Sequence, residues 1–187
     1  YMSLRPMQTL FTGSYELRTL SGTTRKAVCR PFYNAELALL AEFAAPRTTT
    51  AQPNNGDVKF RVLCEVDDYI DTNKLLNDRI SLSARFTLIR NGVVTDTAPV
   101  LMQQYLYQTE LFKFLPFYVS YDLPVGMAVA LGEPDTVLSV VFTIDNKGGG
   151  EIEYSGAVYI HGCDLIMKTD SNPTTTALKG AAWVKAA

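Results

Sequence analysis

His161 is the only histidine in the chain, so any Ser-His-Asp or Cys-His catalytic site would have to use it. It sits between Ile160 and Gly162 in a strand-like pattern, with no nucleophile motif beside it, and is read as a structural or surface histidine. Asp67, Asp68 and Asp71, with Asn73 and Asp78 nearby, form an oxygen-rich cluster of the kind a hard cation such as calcium uses. The cluster lacks the glycine and closing glutamate of an EF-hand, and a solvated loop accounts for the same residues. Glu151 and Glu153 fall on one face of a strand, as a carboxylate pair for glycoside hydrolysis would. They also flank a turn, where glutamates serve solubility. Gly148-Gly149-Gly150 is that turn, since a phosphate cradle needs the full Gly-x-x-x-x-Gly-Lys-Ser/Thr spacing and a following helix. Cys29, Cys64 and Cys163 are far apart and match neither a Cys-x-x-Cys pair nor zinc spacing. Three scattered cysteines are expected to be buried thiols in a reducing compartment. No motif asks for a cofactor, none is expected, and the chemistry points away from an enzyme.

Binding is the next possibility. The chain carries a formal charge of −2, which argues against a general polyanion binder, but the charge is unevenly placed. Residues 1–56 hold six basic and three acidic side chains, whereas residues 91–187 hold five and ten. Arg18, Arg25, Lys26 and Arg30 cluster in sequence and are the candidate nucleic-acid contacts. A solvated strand face explains them as well, because nucleic-acid footprints are usually denser. The aromatics Phe112, Phe114, Phe117, Tyr118 and Tyr121 could stack bases or sugars, and they equally suit a core.

The elements that would position these residues are strands. Ile80, Leu82, Ala84, Phe86 and Leu88 alternate with Ser81, Ser83, Arg85 and Thr87, the period of two of a half-buried strand. Asn91-Gly92 follows, a pair suited to a type I′ hairpin because both residues tolerate positive φ. Val93 to Tyr107 is then the return strand. Further strands are expected at Tyr15–Leu20, Arg25–Arg30, Val58–Val66, Leu111–Asp122 (with Pro116 marking a bulge or edge) and Glu151–Met167. Thr136–Asp145 is β-branched almost throughout and is expected to be buried on both faces. Asn34–Ala44 has good helix formers, a capping asparagine and a stop at Pro46, so helix and strand are both open there. No apolar run is long enough for a membrane span. Tyr1 precedes Met2, the order expected of a processed or trimmed start.

With 47% hydrophobic and 19% charged residues, the chain is less charged than an average soluble domain. Its length suits one domain with a substantial core. Eight or nine strands with at most one or two short helices give an all-β, two-sheet antiparallel sandwich of jelly-roll type, a closed barrel being the alternative. Residues 1–14 are expected to be an N-terminal arm, 15–167 the sandwich and 168–187 a C-terminal tail. Trp183, the only tryptophan, is too large and apolar to leave in solvent without cost. The tail is therefore expected to dock on this chain or on a neighbour.

The long apolar strand at Thr136–Asp145, the glycine turn, the long final strand and the Thr/Pro-rich tail resemble the single jelly-roll coat proteins of small icosahedral viruses, over about residues 15–167. The resemblance lies in length, strand count and composition, and the basic N-terminal arm frequent in such proteins is missing. It implies a virion protein, made in host cytoplasm, that self-assembles with other copies of itself or related coat subunits and meets viral nucleic acid. Met7, Leu10, Phe11 and Trp183 are the expected subunit contacts. The alternatives are a carbohydrate-binding or attachment sandwich and a viral movement-type protein binding nucleic acid through Arg18–Arg30.

Overall fold

The computed structural model describes residues 2–12, 14–20, 23–30, 37–44, 53–66, 79–105, 116–131, 135–144 and 157–169. Nearly all of them are strand: β1 (Met2–Leu4), β2 (Gln8–Phe11), β3 (Ser14–Leu20), β4 (Thr23–Arg30), β5 (Ala38–Ala44), β6 (Pro53–Val66), β7 (Arg79–Arg90), β8 (Val93–Asp96), β9 (Val100–Tyr105), β10 (Phe117–Asp122), β11 (Thr136–Ile144) and β12 (Val158–Thr169). One short helix, α1 (Val125–Ala130), joins β10 to β11.

The strands form two six-stranded antiparallel sheets. One runs β10-β6-β12-β4-β3, with β1 added on β12; the other runs β2-β5-β11-β7-β8, with β9 also on β7. β4 pairs β12, β5 pairs β11, β6 pairs β10 and β7 pairs β8 and β9. These are first-to-last pairings of one long folded ribbon. The ribbon is then wrapped, because β12 also pairs β6 and β11 also pairs β7. That double closure is the jelly roll. Wrapping hides every central strand edge and lets the inner rows of both sheets meet.

Burial follows the period of two. Val58, Phe60, Val62 and Cys64 on β6 face Leu82, Ala84 and Phe86 on β7, with Leu138, Val140 and Phe142 on β11, all fully buried. Phe60 lies at the centre, its ring 5.6–6.2 Å from those of Phe43, Phe86 and Phe142 in edge-to-face contacts. Such contacts add to the area term that drives burial. Met127, Ala128 and Leu131 plug one end of this core.

Several expectations change here. Residues 38–44 form a strand, with Leu39, Ala41 and Phe43 buried; β2 and β11 supply ladders on both edges, which overrides helix propensity. Among the described residues the one helix lies at Val125–Ala130. β11 is inward on one face only, and Val141 on its other face is 44% exposed. The return strand breaks at residues 97–99 because Pro99 cannot donate to the ladder. Thr97 bridges the break: its N–H donates to the Phe86 carbonyl at 2.9 Å, and its hydroxyl accepts from Phe86 N–H at 3.1 Å. Within residues 1–14, Met2–Leu4 pairs on one sheet and Gln8–Phe11 on the other. The Asn91-Gly92 turn is as expected, with φ of 48° and 75°.

Candidate functional site

The outer face of the β12-bearing sheet carries most of the fixed charge. Arg61 on β6 makes a two-pronged contact with Asp164 on β12, at 2.8 and 2.6 Å. Its guanidinium also lies 4.0 Å from the centre of the Tyr118 ring. The hydrogen bond to Asp164 raises the Arg61 pKa above its ordinary value, against the opposing pull of burial. Ser3 of β1 donates to the same carboxylate at 3.1 Å, tying the N-terminus to this cluster.

A second cluster is more deeply buried. Glu65 is 3% exposed. One of its oxygens accepts from Arg18 at 2.8 Å, and the other lies 2.8 Å from His161 Nε2. Arg18 stacks over Tyr159 at 3.8 Å, and Tyr159 packs with Ala27 and Cys29 beneath it. His161 is placed by a β-bulge. Ile160 pairs with Cys64 and Gly162 with Leu63, so His161 is the extra residue, and Gly162 takes φ of 155°. The bulge re-aims the imidazole toward Glu65. No nucleophile accompanies it in these contacts, and its role is that of a buried hydrogen-bond partner of Glu65.

The described basic residues are divided between the two faces of their sheet. Arg18 faces the same side as Arg25, its register partner, whereas Lys26 lies one residue on and so faces the other side. Lys26 Nζ sits 5.6 Å over the Tyr15 ring. Arg18 is committed to Glu65, and the Arg30 side chain lies outside the described residues. Asp67, Asp68 and Asp71, together with Glu151, Glu153, Gly148–Gly150 and Trp183, also lie outside them. Among the described residues no group of three or more His, Cys, Asp or Glu side chains could hold a metal ion. No described helix is long and apolar enough to cross a membrane. Burial pushes the Cys64 and Cys163 thiols up to about 12, which keeps them protonated and poorly nucleophilic at neutral pH.

The outer face of the β11-bearing sheet is different in kind. Register places Leu10, Leu40, Val141 and Arg85 in one row across it. Ala44, Val137, Ile89 and Val94 form a second row, and Ala38, Thr143, Ser83 and Leu101 a third. A polar row holds Gln8, Glu42, Ser139, Thr87 and Asp96. Leu10, Ile89, Val94, Leu101 and Val141 are each at least 37% exposed. Arg85, Glu42 and Asp96 are the only charges on these seventeen positions, a net −1, and nine of the positions are aliphatic, so the face is close to neutral. Of the expected subunit contacts, Met7 and Leu10 are more than half exposed, and Phe11 packs against the core and edge-on to Tyr15 at 4.3 Å.

A notch opens where this sheet's edge meets the other sheet. β4 covers β12 along Val158–Ile160 and β1 covers it along Leu165–Met167, which leaves a gap along residues 161–164 of the same edge. A cavity of about 260 Å³ lies there, lined by Thr9, Phe11, Tyr15, Val28, Phe142 and His161 among others. The imidazole is 1% exposed, and its Nδ1 has no hydrogen-bond partner among the described residues.

Comparison with protein families finds no match for this chain, and comparison with curated proteins finds none. Among solved structures it is similar to the CBM22-2 xylan-binding domain of Paenibacillus barcinonensis Xyn10C, at 10% identity and a TM-score of 0.43, covering 89% of this chain and 99% of that one. It is similar to the xylan-binding module CBM15, at 7% identity and a TM-score of 0.39, covering 91% and 97%. It is also similar to a chain of infectious bursal disease virus, Gt strain, at 12% identity and a TM-score of 0.33, covering 94% of this chain and 34% of that one.

Sequence reasoning missed Glu65, Arg61 and Asp164. Their signal was present, as charged positions on the polar row of the strand 58–66 and on the final strand. Which cation met which carboxylate depended on the pairing of β6 with β12, and that pairing is not local.

Proposed function

We propose that this protein is a self-assembling structural subunit of the viral coat type, whose jelly roll meets other copies through the outer face of the β11-bearing sheet. The observation that carries this reading is the neutrality of that face. Five strands at about 4.8 Å spacing and some 30 Å of strand length give a patch on the order of 700 Å². A stable interface needs roughly 800 Å² per partner, so this face supplies most of one. Nine of its seventeen positions are aliphatic, about half of that area, the size of apolar patch that is often functional on a monomer. Copies related by symmetry would bury the same patch each time.

The alternative reading is a ligand-binding sandwich, for which the notch beside Tyr15 and His161 would be the pocket. Carbohydrate modules usually present aromatic platforms. Among the described residues the exposed aromatics Tyr15 and Tyr118 stand on β3 and β10, at opposite ends of one sheet, and Arg61 covers a face of Tyr118. Sedimentation velocity over a hundredfold concentration range tests the choice. Oligomers or shells that disperse on Val141→Asp are expected. A monomer at every concentration that binds a xylan-type oligosaccharide would overturn the proposal in favour of the alternative.

A further inference from the structure

We infer that two copies join through the outer face of the β11-bearing sheet as a symmetric pair whose two-fold axis runs along β11, an inference that rests on the assembly reading above. The Arg85 guanidinium of each copy then meets the Glu42 carboxylate of the other. The order of the rows selects this axis. Along β11 they follow as Val137, Ser139, Val141 and Thr143, with the polar row between the Val137 and Val141 rows. Face-to-face sheets keep their strands within about 30°, so a two-fold axis in the plane of contact lies either across the strands or along them. An axis across the strands sets each strand on its own counterpart. Centred on the polar row it places Glu42 on Glu42, and centred on the Val141 row it places Arg85 on Arg85. Between the two it lays the polar row on the Leu10–Val141 row. An axis along β11 avoids all three conflicts, because it lays every row on itself and exchanges β5 with β7.

That exchange makes the charges complementary. Glu42 on β5 is level with Ser139, and Arg85 on β7 is level with Val141. The rotation brings each Arg85 over the partner's β5, about 7 Å along the strand from Glu42, a gap that two long side chains span. Arg85 is exposed and Glu42 half-buried, and neither is in an ion pair with another described residue. Asp96, the third charge, comes to face Gln8 of the partner, in the same row on the far edge strand, and an amide can donate to it. Shape agrees with charge. A dimple of about 210 Å³ lies between β2 and β5, lined by Leu10, Ala38, Leu40 and Val141 among others. Leu101 on β9 is 47% exposed and level with Ser83 and Thr143, and the same rotation seats it over the partner's dimple. Such a contact closes at two copies, and a larger shell is built by joining these pairs through other surfaces.

Two charge reversals in the full chain test the pairing, with mass read by light scattering and unfolding midpoints by circular dichroism. Arg85→Glu sets carboxylate against carboxylate at both contacts of the pair, and Glu42→Arg sets guanidinium against guanidinium. Each alone should raise the concentration needed for association about thirtyfold or more, at a midpoint close to that of the unaltered chain, since both positions are on the surface. An equimolar mixture of the two variants restores both opposite-charge contacts and should associate within about threefold of the unaltered chain. Leu101→Ala, which carries no charge change, should weaken association about tenfold. Reversals that associate like the unaltered chain, a mixture as dissociated as its components, or association untouched by Leu101→Ala would each overturn the two-fold pairing and leave assembly standing. An unaltered chain that is monomeric at every concentration would overturn the assembly reading itself.

Discussion

Replacing Glu65 with alanine should be among the most damaging polar substitutions in the molecule. The side chain is 4% exposed, and it is shared by Arg18, itself 20% exposed, and His161, 1% exposed. Removing the carboxylate takes away the acceptor that the Arg18 guanidinium and the buried imidazole share. Breaking a buried pair from one side costs about 3–5 kcal/mol, far above the ~0–1 kcal/mol of a surface pair. The stacking of Arg18 on Tyr159 holds the guanidinium in place, so it cannot escape to solvent without a further loss. For a domain of this size, that cost corresponds to a fall in Tm of roughly 6–20 °C. Urea unfolding followed by circular dichroism would show a lower midpoint at unchanged slope. An Arg18→Ala, Glu65→Ala cycle would give a coupling of at least ~1 kcal/mol. A single-variant loss below ~1 kcal/mol would refute the claim that this cluster is buried and mutually dependent.

Other outcomes follow from the same structure. Gly92→Ala, at φ of 75°, should destabilise by about 1 kcal/mol through backbone strain alone, measured by thermal unfolding. Phe60→Ala, which removes the ring at the meeting point of three others, should cost about 3–5 kcal/mol. Cys64 and Cys163 have folded pKa values of about 12 against 9.0 for a free thiol. Their contribution to stability is complete below pH 9 and is lost as pH rises toward 12, since the unfolded chain releases those protons first. Native protein at pH 8 should therefore react with a thiol reagent far more slowly than unfolded protein, and equal rates would contradict the burial.

The sandwich was legible because alternation is a local property. Residues 80–88 and 58–66 each declare an inner and an outer row, and Asn91-Gly92 declares its own turn. The character of Asn34–Ala44 was not legible, because Leu39, Ala41 and Phe43 fit either period and β2 and β11 decide the matter from far along the chain. Thr136–Asp145 misled for a related reason. Its outward residues Val137 and Val141 are as apolar as a buried strand would need, and that excess is what leaves an aliphatic outer face. The ion-pair clusters and the notch depend on how β12 is shared among β6, β4 and β1, and no window of sequence contains that arrangement. Arg18, singled out for nucleic acid, is instead held by Glu65, a partner forty-seven positions away.

If identical copies bury the outer face of the β11-bearing sheet, charges placed on that face must break the assembly. The most direct measurement is the light-scattering mass of a Leu10→Asp, Val141→Asp chain beside the unaltered one, with unfolding midpoints recorded for both. The unaltered chain should be an assembly of many subunits and the variant a folded monomer. A variant that keeps both its midpoint and the full assembled mass would contradict it.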